Sequence, residues 1–316
     1  MKLFIKKVII ILIILAVILG PIVGFGLFKV CPQYINGYNA AMNDKVGRLQ
    51  TINGRKIVLI GNSNVAFGFR SDMIEEEFGI PVVNAGLHGA IGNAFHEQVA
   101  KLDPREGDIY VVCHTSFDDN DSISAKETWL AIENSFSLWR LIRFKDIDTM
   151  AKGFPSYLSK CYELWWKHEG NMSESGHYTR AAFNEYGDIA RPPRDECIID
   201  FPPGSIYITD VEDTCINRLN RLSDYLNKRG ATLVLAGYPI PDTEVTPLDE
   251  SYDELTQKLK SKCEFPVISD YKQYKMDKDL FFNTVYHLND EGAIVRTEKL
   301  IEDIKNSGIL EGRVND

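Results

Sequence analysis

The chain has 316 residues, of which 45 are Asp or Glu and 35 are Lys or Arg, for a formal net charge of −10. That balance excludes the basic footprint nucleic-acid phosphates demand, and it excludes adhesion to anionic lipid by charge alone. Six cysteines occur without C-x-x-C or His/Cys ligand spacing, so no structural metal site is expected.

The N-terminus carries Lys2, Lys6 and Lys7, then an uncharged apolar run over residues 8–28 closed by Lys29. A run of this length spans a bilayer as a helix and exceeds a secretory h-region. Gly20, Pro21, Gly24 and Gly26 loosen its outer half, which membrane helices tolerate. The lysine asymmetry predicts a single-pass signal anchor: residues 1–7 a cytoplasmic tail, 8–28 the span, and the C-terminal domain extracellular. A cleaved signal peptide is the competing reading. A lipoprotein is disfavoured, because Phe28, Lys29 and Val30 before Cys31 lack the small residues of a lipobox. Residues 29–55 read as a linker, and 56–316 as one domain.

From residue 56, short apolar runs alternate with helical patterns, the signature of βαβ units and a parallel sheet. Strands are predicted at 56–60, 81–84, 108–114, 231–236 and 266–269. Helices are predicted at 71–78 with Ser71 as N-cap, 93–102, 211–229 stopped by Gly230, 248–262, and 290–305 capped by Asn289. The alternation stops over residues 117–206, which defines an insertion. There Trp129, Leu130, Ile132, Phe136, Trp139, Ile142 and Phe144 recur at helical spacing, and Tyr157, Leu158, Cys161, Leu164 and Trp165 form a second stripe. The two stripes are expected to pack on each other as a cap; the alternative is an aromatic groove for sugar rings. Residues 171–204, with Arg180, Arg191 and Arg194, read as a long ordered loop or lid. An exported location permits a disulfide such as Cys161 with Cys197, whereas Cys113 reads as a small buried hydrophobe.

Ser63 follows the first strand across a Gly61-Asn62 turn, at the carboxyl edge where open α/β sheets place ligands. A serine hydroxyl needs an adjacent base to attack, and His287, just ahead of the last helix, is the candidate. His88 and His114 also fall at strand ends and read as satisfied polar groups. A metal site combining them with Asp118 or Asp119 is a minor alternative. Glycines 86, 89 and 92 follow the second strand without the G-x-G-x-x-G order, so no dinucleotide cofactor is expected. The amides of Gly86 and Ser63 form a candidate oxyanion hole, with a simple tight turn as the alternative at Gly86.

Gly61, Asn62 and Ser63 resemble the first block of the SGNH hydrolase superfamily, the GDSL-like esterases and acyltransferases, with Asn62 where the commonest members have Asp. Asn84, Ala85 and Gly86 resemble the second block, whose glycine amide joins the oxyanion hole. His287 matches the base of the last block, usually written Asp-x-x-His. Its surroundings are closer to a membrane-anchored branch in which the acid often stands four residues earlier. The resemblance spans residues 56–305 apart from the insertion. It implies a three-layer flavodoxin-like core with strand order 2-1-3-4-5.

Two positions depart from that pattern. The acid's place is held by Asn283 at one spacing and Thr284 at the other. An amide oxygen accepts the imidazole proton but does not offset imidazolium charge; Asp290 is a substitute acid. The third block's Gly-x-Asn-Asp is absent, since residues 108–119 end in His114, Thr115, Ser116, Phe117, Asp118 and Asp119. What the resemblance implies is a serine esterase or O-acyltransferase handling acyl groups, acetyl foremost, of a cell-surface polysaccharide or teichoic-acid-like polymer. It further implies a membrane-bound O-acyltransferase as partner. The alternative is an inactive SGNH-like binding or scaffold protein of a polysaccharide-assembly system.

Overall fold

The computed structural model describes residues 1–28, 31–132, 135, 137–167, 176–190, 201–202 and 204–310. Helix α1, Lys2–Phe28, is continuous through Pro21. Its stretch Lys2–Leu27 has a hydropathy of 3.2 and none of its apolar window is buried, so it is long and apolar enough to cross a membrane.

Residues 31–55, expected as a linker, instead belong to the domain. Helix α2 (Pro32–Ile35) leads through a 3₁₀ turn at Tyr38–Ala41 into α3 (Met42–Thr51). Met42, Val46 and Leu49 lie on one face of α3 and are buried in the main core. That i, i+4, i+7 spacing was present in the sequence, masked by the polar residues between.

The chain then runs β1 (Ile57–Ile60), α4 (Ser63–Ala66), α5 (Ser71–Phe78), β2 (Val82–Asn84), α6 (Asn93–Val99) and β3 (Ile109–Val112). The insertion contributes α7 (Ala125–Ile132) and α8 (Ile147–Lys167). After it come α9 (Asp213–Asn227), β4 (Thr232–Leu235), β5 (Ile240–Asp242), α10 (Asp249–Lys262), β6 (Lys275–Asp277) and α11 (Asp290–Ser307).

Four strands form a parallel sheet in the order β2-β1-β3-β4. Alternate residues serve opposite faces, as the period of two requires. Val58, Ile60, Tyr110, Val112, Leu233 and Leu235 join a cluster with residues of α3, α6 and α9. Ile57, Leu59, Ile109, Val111 and Val234 join another with Ile74 of α5 and Leu300 and Ile304 of α11. The expected fifth strand shrinks to a single parallel bridge, Val267 beside Leu235. Pro266 lacks an N–H at its start, which shortens the ladder. A separate parallel pair, β5 with β6, was not foreseen.

Ser71 is the first residue of α5 rather than its cap. Its N–H and Oγ both donate to Asp188, at 2.8 and 2.7 Å, so a carboxylate 117 residues away satisfies this helix start. Asp188 also accepts from Asn84 Nδ2 at 2.8 Å, tying the insertion to the end of β2.

The two aromatic stripes do pack on each other: Trp129 stacks on Tyr157 with centroids 5.4 Å apart and meets Trp139 edge-on at 5.3 Å. Phe144 is the exception, 91% exposed. Phe136, Arg191, Arg194 and Cys197 lie outside the described residues, as do residues 171–175, 191–200 and 203 of the expected lid. Cys113 is fully buried at the end of β3. Helix α8 lies against the end of α1, with Phe25 on Trp165 at 4.1 Å and Tyr162 Oη donating to Ile22 O at 3.1 Å.

Candidate active site

Ser63 is presented by a turn with little freedom. A Cβ on Gly61 would stand 2.6 Å from Val65 Cγ2 and 2.9 Å from Cys113 O, so only glycine fits where β1 leaves the sheet. Asn62 Oδ1 accepts from the backbone N–H and side-chain Nδ2 of Asn64, at 2.9 and 2.7 Å, and so caps α4. Asn62 Nδ2 donates to Thr115 Oγ1 at 2.9 Å. Ser63 is half-buried, and its N–H finds no acceptor among the described residues.

Arg296 of α11 braces this turn from below. It is fully buried and donates to Asn64 O at 2.6 Å, Asn64 Oδ1 at 2.8 Å and Gly237 O at 3.0 Å. Its guanidinium lies 4.1 Å from the centre of the Phe69 ring. Among the described residues no carboxylate pairs with it, and burial draws its pKa down.

His287 approaches from the other end of the chain. Phe282 N donates to His287 O at 2.8 Å, and Thr284 Oγ1 accepts from His287 N at 3.1 Å, closing the loop on itself. Asn289 caps α11 through Gly292 N at 2.9 Å, as expected. This mounting sets His287 Nε2 2.8 Å from Ser63 Oγ. Phe67 stacks on the imidazole at 4.2 Å with planes 12° apart.

On the far side of the ring, Nδ1 lies 2.8 Å from Asn283 Oδ1. Asn283 Nδ2 donates to Tyr178 Oη at 2.8 Å, and that hydroxyl stands 3.2 Å from His287 Nδ1. The network assigns the amide oxygen to the ring and the proton to Nδ1, leaving the Nε2 lone pair for the serine proton. Burial, with a smaller contribution from nearby His88, pulls the His287 pKa down to about 3. The imidazole is therefore neutral at physiological pH, the form a general base requires. Asp290 is not among the hydrogen-bond partners of His287, so it does not replace the missing acid.

Gly86 departs from the expected role. Its N–H donates to Asn84 Oδ1 at 2.9 Å and is not open to an oxyanion. Glycine is needed there because a Cβ would stand 2.7 Å from Val65 Cβ and against the Ala66 backbone. The close approach is to α4, so the tight-turn alternative describes it. His88 is exposed and accepts from Ala90 N at 3.0 Å. His114 is buried with Nε2 2.9 Å from Glu97 Oε1, while Arg218 holds the other Glu97 oxygen at 2.6 Å. Among the described residues no group of His, Cys, Asp and Glu could hold a metal ion.

Three site residues were not foreseen. Tyr178 lies in the polar part of the insertion, 105 residues from Asn283, and carries no local signature. Phe67 and Arg296 carry no motif of their own; the available signal was an arginine among the buried positions of the last helix.

The buried histidines set an acid dependence of stability. His96 is fully buried, and burial lowers its pKa to about 3, as for His287. Unfolded histidine takes up its proton near pH ~6.5, so the unfolded state binds more protons below that pH. The stabilisation is complete above the unfolded value and is lost as pH falls toward the folded one. Each site should cost about 2 kcal/mol between pH ~7 and pH ~5. Urea titrations at the two pH values measure this. His96→Gln should remove roughly half of the histidine-linked loss, and an unchanged slope would show that His96 is protonated in the fold.

Fold and site together define an α/β chain with an apolar N-terminal helix and a continuous Ser63, His287 and Asn283 hydrogen-bond relay. No protein-family model and no curated protein matches the chain.

Proposed function

We propose that this chain is a membrane-anchored serine esterase or O-acyltransferase of the SGNH type, with a three-layer core and its C-terminal domain outside the cell. The observation that carries the reading is the 2.8 Å approach of His287 Nε2 to Ser63 Oγ, across 224 residues of chain. Ser63 Oγ attacks an acyl carbonyl as its proton passes to Nε2, giving a tetrahedral intermediate. The imidazolium then protonates the departing oxygen, leaving an acyl-serine. Water or a sugar hydroxyl, deprotonated by His287, takes the acyl group and regenerates Ser63.

The Ser63 N–H is the oxyanion donor in this scheme. Thr115 Oγ1 accepts from Asn62 and keeps its own proton to donate, and it stands just after β3 in the stretch that lacks the third block's Gly-x-Asn-Asp. Asn283 fixes the imidazole tautomer but adds no negative charge, so turnover is slow. The membrane helix favours an acylated surface polysaccharide or teichoic-acid-like polymer as substrate, with a membrane-bound O-acyltransferase as partner.

Asn283 also favours a second reading, a catalytically silent scaffold of a polysaccharide-assembly system. Full-length protein treated with a serine-directed fluorophosphonate separates the two. Adduct at Ser63, located by peptide mass spectrometry and absent from Ser63→Ala, is expected. No adduct and no turnover of an activated acetyl ester above that variant would leave the scaffold.

A further inference from the structure

A cavity of about 710 Å³ opens between the 3₁₀ turn at Tyr38–Ala41, α7 and α8. Its volume is that of a small-molecule site, which spans ~300–1,000 Å³. Tyr34, Tyr38, Ala40, Ala125, Leu130 and Tyr157 give it a mainly apolar wall. Lys126 and Lys160 stand on the lining as its cations, each with an acidic neighbour, Glu127 and Glu163.

Two relations distinguish this cavity from a packing defect. The first is to the candidate active site. His88, in the loop that follows β2, lines the cavity. Tyr38 lines it too, with its ring 6.3 Å from His88 and 5.8 Å from Tyr178, which contacts the His287 Nδ1 side. The cavity thus begins one residue layer from the relay. A two-carbon acyl group on Ser63 is too short to fill it, whereas an extended chain is long enough to span one layer.

The second relation is to the membrane. Helix α8 turns Gly153, Ser156, Tyr157 and Lys160 to the cavity, an i, i+3, i+4, i+7 face. Its other face meets α1: Leu158 reaches Gly26, Tyr162 bonds Ile22 O, and Trp165 packs on Phe25. One helix therefore separates the cavity from the end of the apolar span. An amphiphile leaving the bilayer there meets an apolar, tyrosine-lined hole on the other side of α8.

We infer that this cavity binds the hydrocarbon chain of a membrane-derived acyl ester, the acyl donor for Ser63. The inference rests on the serine reading of the site and names its substrate class. A sugar site is disfavoured because the wall is mainly apolar.

Full-length protein in phospholipid nanodiscs tests this in two arms. In the first, kcat/KM is measured for p-nitrophenyl acetate and octanoate. The octanoate should be preferred by about tenfold or more, the effect of added methylenes in an apolar pocket. Ser156→Trp, which fills the cavity from an exposed position, should erase that preference and leave acetate turnover within about twofold. Leu130→Trp should do the same from the facing helix. Acetate turnover with no chain-length preference, or a preference that both variants leave intact, overturns the cavity assignment and leaves the serine reading standing.

The second arm needs no turnover. Ser63→Ala protein is irradiated with a diazirine-bearing palmitate, and adducts are mapped by peptide mass spectrometry. Labelling at Leu130, Ser156 or Tyr157, lost in Ser156→Trp, is expected. If it appears without ester turnover by the parent protein, the chain site holds and the serine chemistry fails. Labelling confined to α1 and the α8 face that meets it overturns the inference, as does protection by a soluble oligosaccharide.

Discussion

Asn283→Asp should raise turnover of an activated acetyl ester by about 10²-fold or more. In serine proteases the opposite change, Asp to Asn, costs about 10⁴ in kcat, largely through the wrong imidazole tautomer. Here the tautomer is already right, because Tyr178 Oη accepts from Asn283 Nδ2 at 2.8 Å and so turns Oδ1 toward His287. What the amide lacks is charge to offset the imidazolium that forms as Ser63 loses its proton. A carboxylate at the same 2.8 Å supplies it, and Tyr178 Oη becomes a donor to the carboxylate instead of an acceptor. The gain is smaller than the protease loss, since Asn283 is exposed and solvent screens a charge there.

The same substitution makes a pH prediction of definite sign. With the His287 pKa pulled down to about 3, the parent's kcat/KM should hold level well below the ordinary histidine range. A carboxylate at position 283 favours the charged imidazole and moves the acid limb upward toward neutrality. A faster enzyme with a raised acid limb is the expected pair of results. A rate gain without the limb shift would place the base elsewhere, and neither change would remove position 283 from the mechanism.

The parts legible in sequence were those governed by short-range pattern. Apolar runs marked β1 to β4, and Asn289 marked the start of α11, because periodicity and capping act within a few residues. Ser63 and His287 were legible through the strand-turn-helix and loop-helix contexts that present them. What escaped depends on side-chain contacts that neither periodicity nor capping rules encode, most of them long-range. Asp188 takes the cap of α5 from Ser71 across the insertion, Tyr178 aims Asn283 across 105 residues, and Asn84 captures the Gly86 amide inside its own turn. In the last case the local sequence was compatible with both an oxyanion donor and a tight turn. The choice was made by a side-chain acceptor two residues earlier and by the contact with Val65 and Ala66.

The relay's dependence on its own base gives the second large effect. His287→Gln should lower acyl-ester turnover by about 10³-fold, within the range assigned to positioned general bases. Glutamine keeps much of the volume stacked on Phe67, so the loss reports chemistry rather than a collapsed loop; an unchanged urea midpoint at neutral pH checks that. The sharper measurement is the double variant. Residues that act as a unit are strongly non-additive, so Ser63→Ala with His287→Gln should be no slower than either change alone. Losses that multiply would mean that Ser63 and His287 act in separate steps despite their 2.8 Å contact. Equal rates in all four proteins would mean that the pair holds the fold together and performs no acyl transfer, which is the scaffold's signature. Because the imidazole is buried, neutral and aligned before any substrate arrives, the ester reading requires the first of these outcomes.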